Sequence, residues 1–220
     1  RIYLPNESDY NLNLQESRGL GIDEDTTIEK IIRSSSEKIV SMEESDNVRS
    51  KELDKFLNSH FDKTSGKNFL EIGFRIPKLQ YYYRNNFSMN DYGVDINSFN
   101  VEIFSEMGFN CSTFNLIENK SIQDEIGTTF DVVVCYHVLE HVTNPVESIE
   151  NIFNSMNKGG VFHVEVPIEP GTPRLEYGHL ISYDPGDMLK ILRGVGFNVV
   201  SGNNDTHTGG PWIERYIAVK

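Results

Sequence analysis

The chain has 220 residues, which suits one medium-sized domain or one domain with an appendage. Its residues are 38% hydrophobic and 24% charged, an ordinary globular composition that excludes wholesale disorder. The net charge is -13, and the sequence has no basic stripe that would bind nucleic-acid phosphates. No apolar run reaches the roughly 20 residues of a membrane helix. We therefore expect neither a nucleic acid nor a membrane as partner.

The N-terminal part, residues 1–62, is predicted to be an irregular arm followed by a helical cap. Residues 1–25 are polar and show no periodicity. Thr26–Glu29 has the spacing of a capping box, in which a hydroxyl and a carboxylate satisfy the free N–H groups at a helix start. Apolar residues at helical spacing predict a second helix over about Val48–Phe61.

Residues 63–220 are predicted to form a second unit in which short apolar strands alternate with helical stretches. The predicted strands are Phe69–Gly73, Tyr92–Ile96, Phe109–Phe114, Phe130–Tyr136 and Gly160–Val166. The predicted helices are Pro77–Asn86, Ser98–Met107, Ser121–Glu125, Pro145–Met156 and Asp184–Val195. This alternation indicates an α/β fold with a parallel sheet covered on both faces. Phe197–Ser201 and Trp212–Val219 then follow without room for a helix, which predicts an antiparallel hairpin at the sheet edge.

The two cysteines and the first residue bear on where the protein works. Cys111 and Cys135 lie in apolar, strand-like runs, which favours reduced, buried thiols and a cytoplasmic location. No signal-peptide pattern opens the sequence. Arg1 stands where an initiator Met would be, so we expect the N-terminus to be trimmed or taken from a longer protein.

The carboxyl ends of the first two predicted strands carry residues suited to a ligand, since ligands of such sheets bind at that edge. Gly73 ends the first strand, where a glycine lets the backbone approach a ligand closely. Asp95 ends the second strand, where a carboxylate can accept two hydrogen bonds from a ribose diol. Each residue alone also fits a turn or a helix cap. Together, at this spacing, they favour a nucleoside ligand.

A longer motif follows in the fourth strand, Phe130–Val142 (FDVVVCYHVLEHV), and then comes a tight turn at Asn157–Gly160 before a strand that ends at Pro167. These segments resemble the class I S-adenosylmethionine-dependent methyltransferases, and most of all their small-molecule branch. The resemblance covers about residues 66–220. It implies a Rossmann-like, seven-stranded, mostly parallel sheet with helices on both faces and an antiparallel C-terminal hairpin. Leu139–Val142 argues against a nucleotide-dependent oxidoreductase on the same kind of sheet.

The resemblance also implies S-adenosyl-L-methionine as cofactor and in-line methyl transfer to a small molecule, such as a sugar or another metabolite. Each cofactor contact follows from its position in the motifs. These contacts are Glu71 and Gly73 near the methionine moiety, Asp95 on the ribose, Ile96 beside the adenine, Asn115 and Leu116 at the adenine edge, and Cys135, Tyr136 and His137 under the sulfonium.

The glycine-rich motif of the family is degenerate in this sequence. After Gly73, Arg75 and Pro77 occupy the positions of the second and third glycines. Arg75 can pair with the cofactor carboxylate, which would support binding, or it can fill the pocket. The second outcome would make the protein a catalytically inactive, methyltransferase-like binding or scaffold domain.

Histidines after the fourth strand are the candidate catalytic residues. A hydroxyl acceptor needs a base, and His141 or His137 has a suitable pKa. Alternatively, His141 begins a helix and bonds a backbone carbonyl.

The segment Pro167–Tyr183 is predicted to lie over the acceptor side of the site. Glu169, Tyr177 and His179 are its candidate substrate contacts, and the alternative is a plain surface loop. His137 and His141 have the i, i+4 spacing of a zinc pair, but neither Cys nor a well-placed acid supports them, so no metal is expected. The acceptor and the oligomeric state are left open.

Overall fold

The computed structural model of the protein describes residues 35–41, 44–118, 120–171, 173–174, 177–206 and 212–220. The predicted arm over 1–25 and the capping box at Thr26–Glu29 lie outside the described residues. Residues 35–40 are helical, and Ile39 is buried. Within the described ranges, every helix is too short or too polar to cross a membrane.

A single seven-stranded sheet forms the centre of the fold, with the strand order β3-β2-β1-β4-β5-β7-β6. The strands are β1 Asn68–Ile72, β2 Asn90–Asp95, β3 Cys111–Thr113, β4 Phe130–Tyr136, β5 Met156–Pro167, β6 Asn198–Thr206 and β7 Trp212–Val219. The first five strands pair in parallel, and β7 runs antiparallel to both β5 and β6. The predicted fold class is confirmed.

Helices cover both faces of this sheet. They are α1 Glu44–His60, α2 Lys78–Phe87, α3 Ser98–Glu106, α4 Ile122–Ile126, α5 Pro145–Ser155 and α6 Asp187–Val195, with a 3-10 turn at Leu139–His141. Leu53 of α1 packs with Phe69 and Val132 in one buried cluster, whereas Leu192 of α6 shares a second cluster with Leu70 and others. Neighbouring residues of one strand thus face opposite sides, which is why the strands are apolar throughout.

The hairpin is longer than predicted, since β6 continues through Gly202 to Thr206. A Cβ atom at Gly202 would lie 2.7 Å from Cε1 of Tyr216 on β7. Gly202 therefore lies within β6, where the absence of a side chain allows the close contact with the Tyr216 ring.

The connections out of β1 leave a crevice at the carboxyl edge of the sheet. β1 pairs with β2 on one side and with β4 on the other, so the chain leaves β1 and β4 in opposite directions. The loops that follow β1, β2, β3 and β4 therefore meet at the same edge, where the candidate site lies.

Candidate functional site

A cavity of about 860 Å³, its open mouth included, lies at this edge of the sheet. Its walls come from the loops after β1, β2, β3 and β4. The sequence-predicted site residues that line it are Gly73, Arg75, Asp95, Ile96, Asn115, Leu116, His137 and His141. The structure therefore brings together residues from four separate motifs.

The loop after β1 passes close to the loop after β4 at Gly73, beside the cavity. Its φ is 72°, and a Cβ atom there would lie 2.3 Å from Cγ2 of Val138 in the loop after β4. The Gly73 N–H also donates to the carbonyl of Val94, at 2.8 Å. A glycine is needed here because both the backbone conformation and the contact with Val138 exclude a side chain.

Asp95 is held at the end of β2 by backbone donors. The N–H of Arg75 donates to its Oδ2 at 3.1 Å, and the N–H of Asn97 donates to its Oδ1 at 2.8 Å. Each carboxylate oxygen retains acceptor capacity after one such bond. Asp95 is therefore a buried carboxylate whose position is fixed by the backbone of the loops after β1 and β2.

Arg75 makes the turn that the family makes with a glycine. Its φ is 41°, a left-handed conformation that is uncommon outside glycine. The residue is exposed to solvent and lines the cavity wall. The degenerate glycine motif thus keeps the backbone path toward Asp95.

The wall after β3 is mainly apolar. Phe114, Leu116 and Ile117 line it together with Ile96 from the loop after β2. Asn115 adds a polar group, and its Oδ1 accepts a hydrogen bond from the N–H of Ile117 at 3.3 Å. This wall suits a flat aromatic group with one polar edge.

Glu71, Cys135 and Tyr136 are not among the residues that line the cavity. The Glu71 carboxylate accepts from the N–H of Gln80 in α2, at 3.2 Å, and burial raises its pKa well above the usual value. Cys135 is fully buried in the core, where burial raises the pKa of its thiol. The Tyr136 hydroxyl hydrogen bonds Nδ1 of His163 at 2.6 Å. Their role as cofactor contacts stays a prediction.

His137 lies between two carboxylates at the floor of the cavity. Its Nε2 is 2.9 Å from Oε1 of Glu165, and its Nδ1 is 3.3 Å from Oε1 of Glu140. Burial lowers the pKa of His137, but the two carboxylates outweigh this effect and raise it to about 9. The imidazole is therefore protonated at neutral pH, which suits a hydrogen-bond donor better than a base.

Glu165 joins three parts of the protein under this floor. The carboxylate is fully buried, and besides His137 it accepts from Nε of Arg49 in α1 at 3.0 Å and from Nε of Arg215 in β7 at 2.6 Å. Burial alone would raise its pKa, but these cations hold the pKa well below its usual range. This group was not predicted from the sequence, although an acid within the mainly apolar run Val161–Val166 was an available signal.

The predicted acceptor-side residues form a cluster next to the cavity. Nδ1 of His141 is 2.9 Å from the carbonyl of Gly178, so the expected bond to a backbone carbonyl is present while His141 also lines the cavity. Nδ1 of His179 is 2.8 Å from Oε2 of Glu169, and the His179 ring stacks edge-on to His141 with centroids 5.0 Å apart. Tyr177 is 55% exposed beside His179.

The segment that carries these residues is closed at its base. Ile168 bridges to Tyr183, and the N–H of Glu169 donates to the Tyr183 carbonyl at 3.1 Å. The Ser182 hydroxyl donates to the Glu169 carbonyl. We call the segment Pro167–Tyr183 the acceptor segment, and its paired residues, 168–169 and 182–183, the neck of that segment. The carbonyl of Glu140 also accepts from the N–H of Leu180 at 2.7 Å, which ties the segment to the 3-10 turn.

Comparison with known proteins gives one family and several relatives. The sequence profile of a family described as a methyltransferase domain matches residues 46–202. The curated protein phosphoethanolamine N-methyltransferase 1 of Triticum aestivum is 25% identical over 154 residues, which are 66% of this chain and 31% of that protein. The chain thus spans about a third of the length of this relative.

Two solved structures share the fold. The 1,6-didemethyltoxoflavin-N1-methyltransferase of Burkholderia thailandensis, solved with S-adenosylhomocysteine bound, has a TM-score of 0.65 and 14% identity, over 100% of this chain and 92% of that one. Magnesium protoporphyrin IX methyltransferase of Synechocystis PCC 6803 has a TM-score of 0.59 and 15% identity, over 98% and 95% of the two chains.

Proposed function

Since this chain belongs to the methyltransferase domain family, we propose that it transfers a methyl group from S-adenosylmethionine to a small-molecule acceptor. The observation that carries the proposal is the cavity at the carboxyl edge of the sheet, where Gly73, Asp95 and Asn115 converge. The family match and the site geometry support the same conclusion independently.

The residues of the cavity fit the cofactor in chemistry. The cavity is open to solvent and is lined by both apolar and polar side chains, as a small-molecule site is. Asp95 would accept hydrogen bonds from the ribose hydroxyls, and the apolar wall of Ile96 and Leu116 would hold the adenine. Arg75 is exposed and lines the cavity, where its guanidinium would pair with the cofactor carboxylate.

The chain's contribution to the chemistry is mainly alignment. When bound, S-adenosylmethionine supplies an electrophilic methyl group on a sulfonium sulfur. Gly73 and Asp95 would hold the donor, and the side of the cavity that His141 lines would hold the acceptor, an arrangement that would favour in-line displacement. Because a backbone carbonyl accepts only, Nδ1 of His141 carries the proton, and Nε2 is left to accept one from an acceptor hydroxyl.

The acceptor is proposed to be a polar small molecule, such as a sugar or another metabolite. The acceptor segment presents Arg174, Tyr177 and His179 beside the cavity, and these side chains offer both stacking and hydrogen-bonding groups. The relatives named above are methyltransferases of phosphoethanolamine, 1,6-didemethyltoxoflavin and magnesium protoporphyrin IX, which supports a small acceptor. The free thiols of Cys111 and Cys135 support the expected cytoplasmic location.

An inactive, methyltransferase-like binding module is the second candidate. Arg75 and Pro77 favour this candidate, because side chains in place of two glycines can obstruct cofactor binding. A protein that does not bind the methyl donor cannot transfer its methyl group. The exposed position of Arg75 weighs against this reading.

Calorimetric titration with S-adenosylmethionine and S-adenosylhomocysteine tests the proposal. We expect micromolar binding by the unchanged protein, weakened about tenfold or more by Asp95→Ala, which removes the hydroxyl acceptor. Asp62→Ala, at an exposed site outside the cavity, is the matched control and should bind normally. Absence of binding at millimolar ligand would refute the enzyme and favour the binding module.

A further inference from the structure

Three side chains with metal-binding atoms meet at the acceptor side of the cavity. Glu140 and His141 come from the 3-10 turn after β4, and His179 comes from the acceptor segment. One ligand atom of each residue lies within 4.8 Å of those of the other two. The sequence separation of His179 from the turn hid this grouping, and the expectation of no metal had placed Glu140 away from the histidines.

Glu140 is the first reason to regard this grouping as a binding site. Its side chain is fully buried, and neither carboxylate oxygen has a hydrogen-bond partner among the described residues. Its neighbours are Nδ1 of His137 at 3.3 Å and Nε2 of His141 at 4.0 Å, which are ionic contacts only. A buried carboxylate is normally hydrogen-bonded, paired or bound to a metal. Glu140 is paired with His137, and its oxygens lie within reach of a metal ion held with His141 and His179.

The orientation of the two histidines is the second, independent reason. Nδ1 of His141 faces the Gly178 carbonyl at 2.9 Å, and Nδ1 of His179 faces Oε2 of Glu169 at 2.8 Å. Since both partners accept hydrogen bonds, both Nδ1 atoms carry protons, and each Nε2 keeps a lone pair. Imidazoles that bind metals are held in the same way, with the second nitrogen donating to a carbonyl or carboxylate.

We propose that Glu140, His141 and His179 bind one divalent transition-metal ion. Two imidazoles and one carboxylate suit Zn²⁺, Mn²⁺, Fe²⁺ or Co²⁺, whereas Mg²⁺ and Ca²⁺ prefer all-oxygen sites. Metal–ligand distances of about 2.1 Å require ligand atoms about 3–3.5 Å apart, so the side chains close by roughly 1 Å on binding. Glu169 orients His179 from outside the ligand set.

Three protein ligands leave coordination positions open toward the cavity that His141 lines. With the metal bound, Nε2 of His141 is a ligand, and the metal replaces it in activating the acceptor. An oxygen of the acceptor can occupy an open position, and a metal-bound hydroxyl loses its proton to solvent more readily than a free one. The site therefore points to an acceptor with a hydroxyl or another metal-binding oxygen. This role rests on the proposed function, whereas the metal site itself does not.

Titration of the metal-stripped full chain with Co²⁺ tests the site, because bound Co²⁺ reports its ligands through visible absorption. We expect one ion per chain, displaced by Zn²⁺, and at least about tenfold weaker binding in His179→Gln, which loses a ligand on a surface segment. Glu169→Gln should weaken binding by about tenfold, since it perturbs only the orientation of His179. His60→Gln is the matched control, because His60 bonds the Gly159 carbonyl at the opposite edge of the sheet.

Weak binding that is equal in the unchanged protein, His179→Gln and His60→Gln would overturn the metal site. Circular dichroism of each variant establishes that it is folded. Titration with S-adenosylhomocysteine, with and without Zn²⁺, separates the two proposals. Cofactor binding without a metal site refutes only this inference, and a metal site without cofactor binding refutes only the proposed function.

Discussion

Arg75 adopts a left-handed backbone at φ 41°, and its N–H donates to Asp95, so a residue with a side chain makes the turn toward the cavity. Such a conformation costs about 1 kcal/mol or more for a residue other than glycine. The strain is retained at a position where the guanidinium reaches the cavity wall. At this scale, backbone and side chain of one residue have separable roles.

A pair of substitutions at Arg75 separates these roles. We expect Arg75→Gly to unfold with a free energy about 1 kcal/mol higher than that of Arg75→Ala, because glycine tolerates a positive φ. Both variants should weaken cofactor binding by a similar factor, about tenfold, if the guanidinium pairs with the cofactor carboxylate. Urea unfolding and calorimetry measure the two effects. Tighter binding in both variants would show that the side chain obstructs the site.

His137 should make stability depend on pH. Its pKa rises from 6.5 to about 9 in the folded protein, so the folded state binds this proton more tightly than the unfolded state. The resulting stabilisation is complete below pH 6.5 and is lost as the pH rises through about 9. Its size is on the order of 2 kcal/mol, allowing for the partial exposure of the ring.

The matched variant for this pH effect is His137→Asn, because asparagine tolerates the left-handed backbone at this position, φ 52°. Urea unfolding at several pH values between 6 and about 10 compares the two proteins. The difference in unfolding free energy should shrink as the pH rises. A constant difference across this range would contradict the assignment of a protonated His137.

At the scale of elements, Glu165 connects α1 to the sheet. Arg49 of α1 and Arg215 of β7 bind its two oxygens, and the Arg49 guanidinium lies 4.9 Å from the centre of the Tyr136 ring. Leu53 and Leu57 pack the rest of α1 against the same face. The helix is thus fixed by apolar burial and by a charge at the carboxyl end of β5, directly under His137.

Arg49→Met tests the importance of this connection. The substitution keeps the apolar contact with Tyr136 and removes one cation, while Arg215 and His137 continue to pair Glu165. We expect a loss of about 1–3 kcal/mol in unfolding free energy, since a buried charge–charge hydrogen bond is broken. Lys55→Met, on the exposed face of the same helix, should change stability by less than about 0.5 kcal/mol. Equal effects of the two substitutions would show that the pair adds nothing.

At the scale of the whole molecule, the loops after β1, β2, β3 and β4 all line the cavity, so a bound ligand would stabilise them together. A ligand at about 100 times its Kd adds about 2.7 kcal/mol to the stability of the state that binds it. Of the residues that the structure describes, none in β6 or β7 lines the cavity.

Amide hydrogen exchange of the protein, measured with and without S-adenosylhomocysteine, should distinguish the cavity loops from the hairpin strands. We expect slower exchange in residues 73–77, 95–97, 114–117 and 137–142, because these loops line the ligand, and an unchanged rate in β6. Mass spectrometry of peptides with and without ligand measures it. Protection confined to other regions would place the ligand elsewhere.

The alternation of strands and helices was sufficient to predict the fold, because two-sided burial leaves an apolar run at every inner strand. Gly73 and Asp95 were predicted to meet since parallel strands end at one edge. The Glu165 group was not predicted, because Arg49 and Arg215 lie 116 and 50 residues away from it in sequence. The approach of His179 to Glu140 depends on the path of an irregular segment, which no periodicity encodes.

The neck of the acceptor segment separates the stretch between residues 169 and 182 from the sheet. Because residues 168–169 and 182–183 pair with each other, the stretch between them begins and ends at almost the same place. A stretch of different length can therefore replace it without changing the loops after β1 and β2, which are proposed to hold the methyl donor. If this segment contacts the acceptor as proposed, substrate preference can change by replacement of the stretch, provided that the contacts of Gly178, His179 and Leu180 with the 3-10 turn are kept.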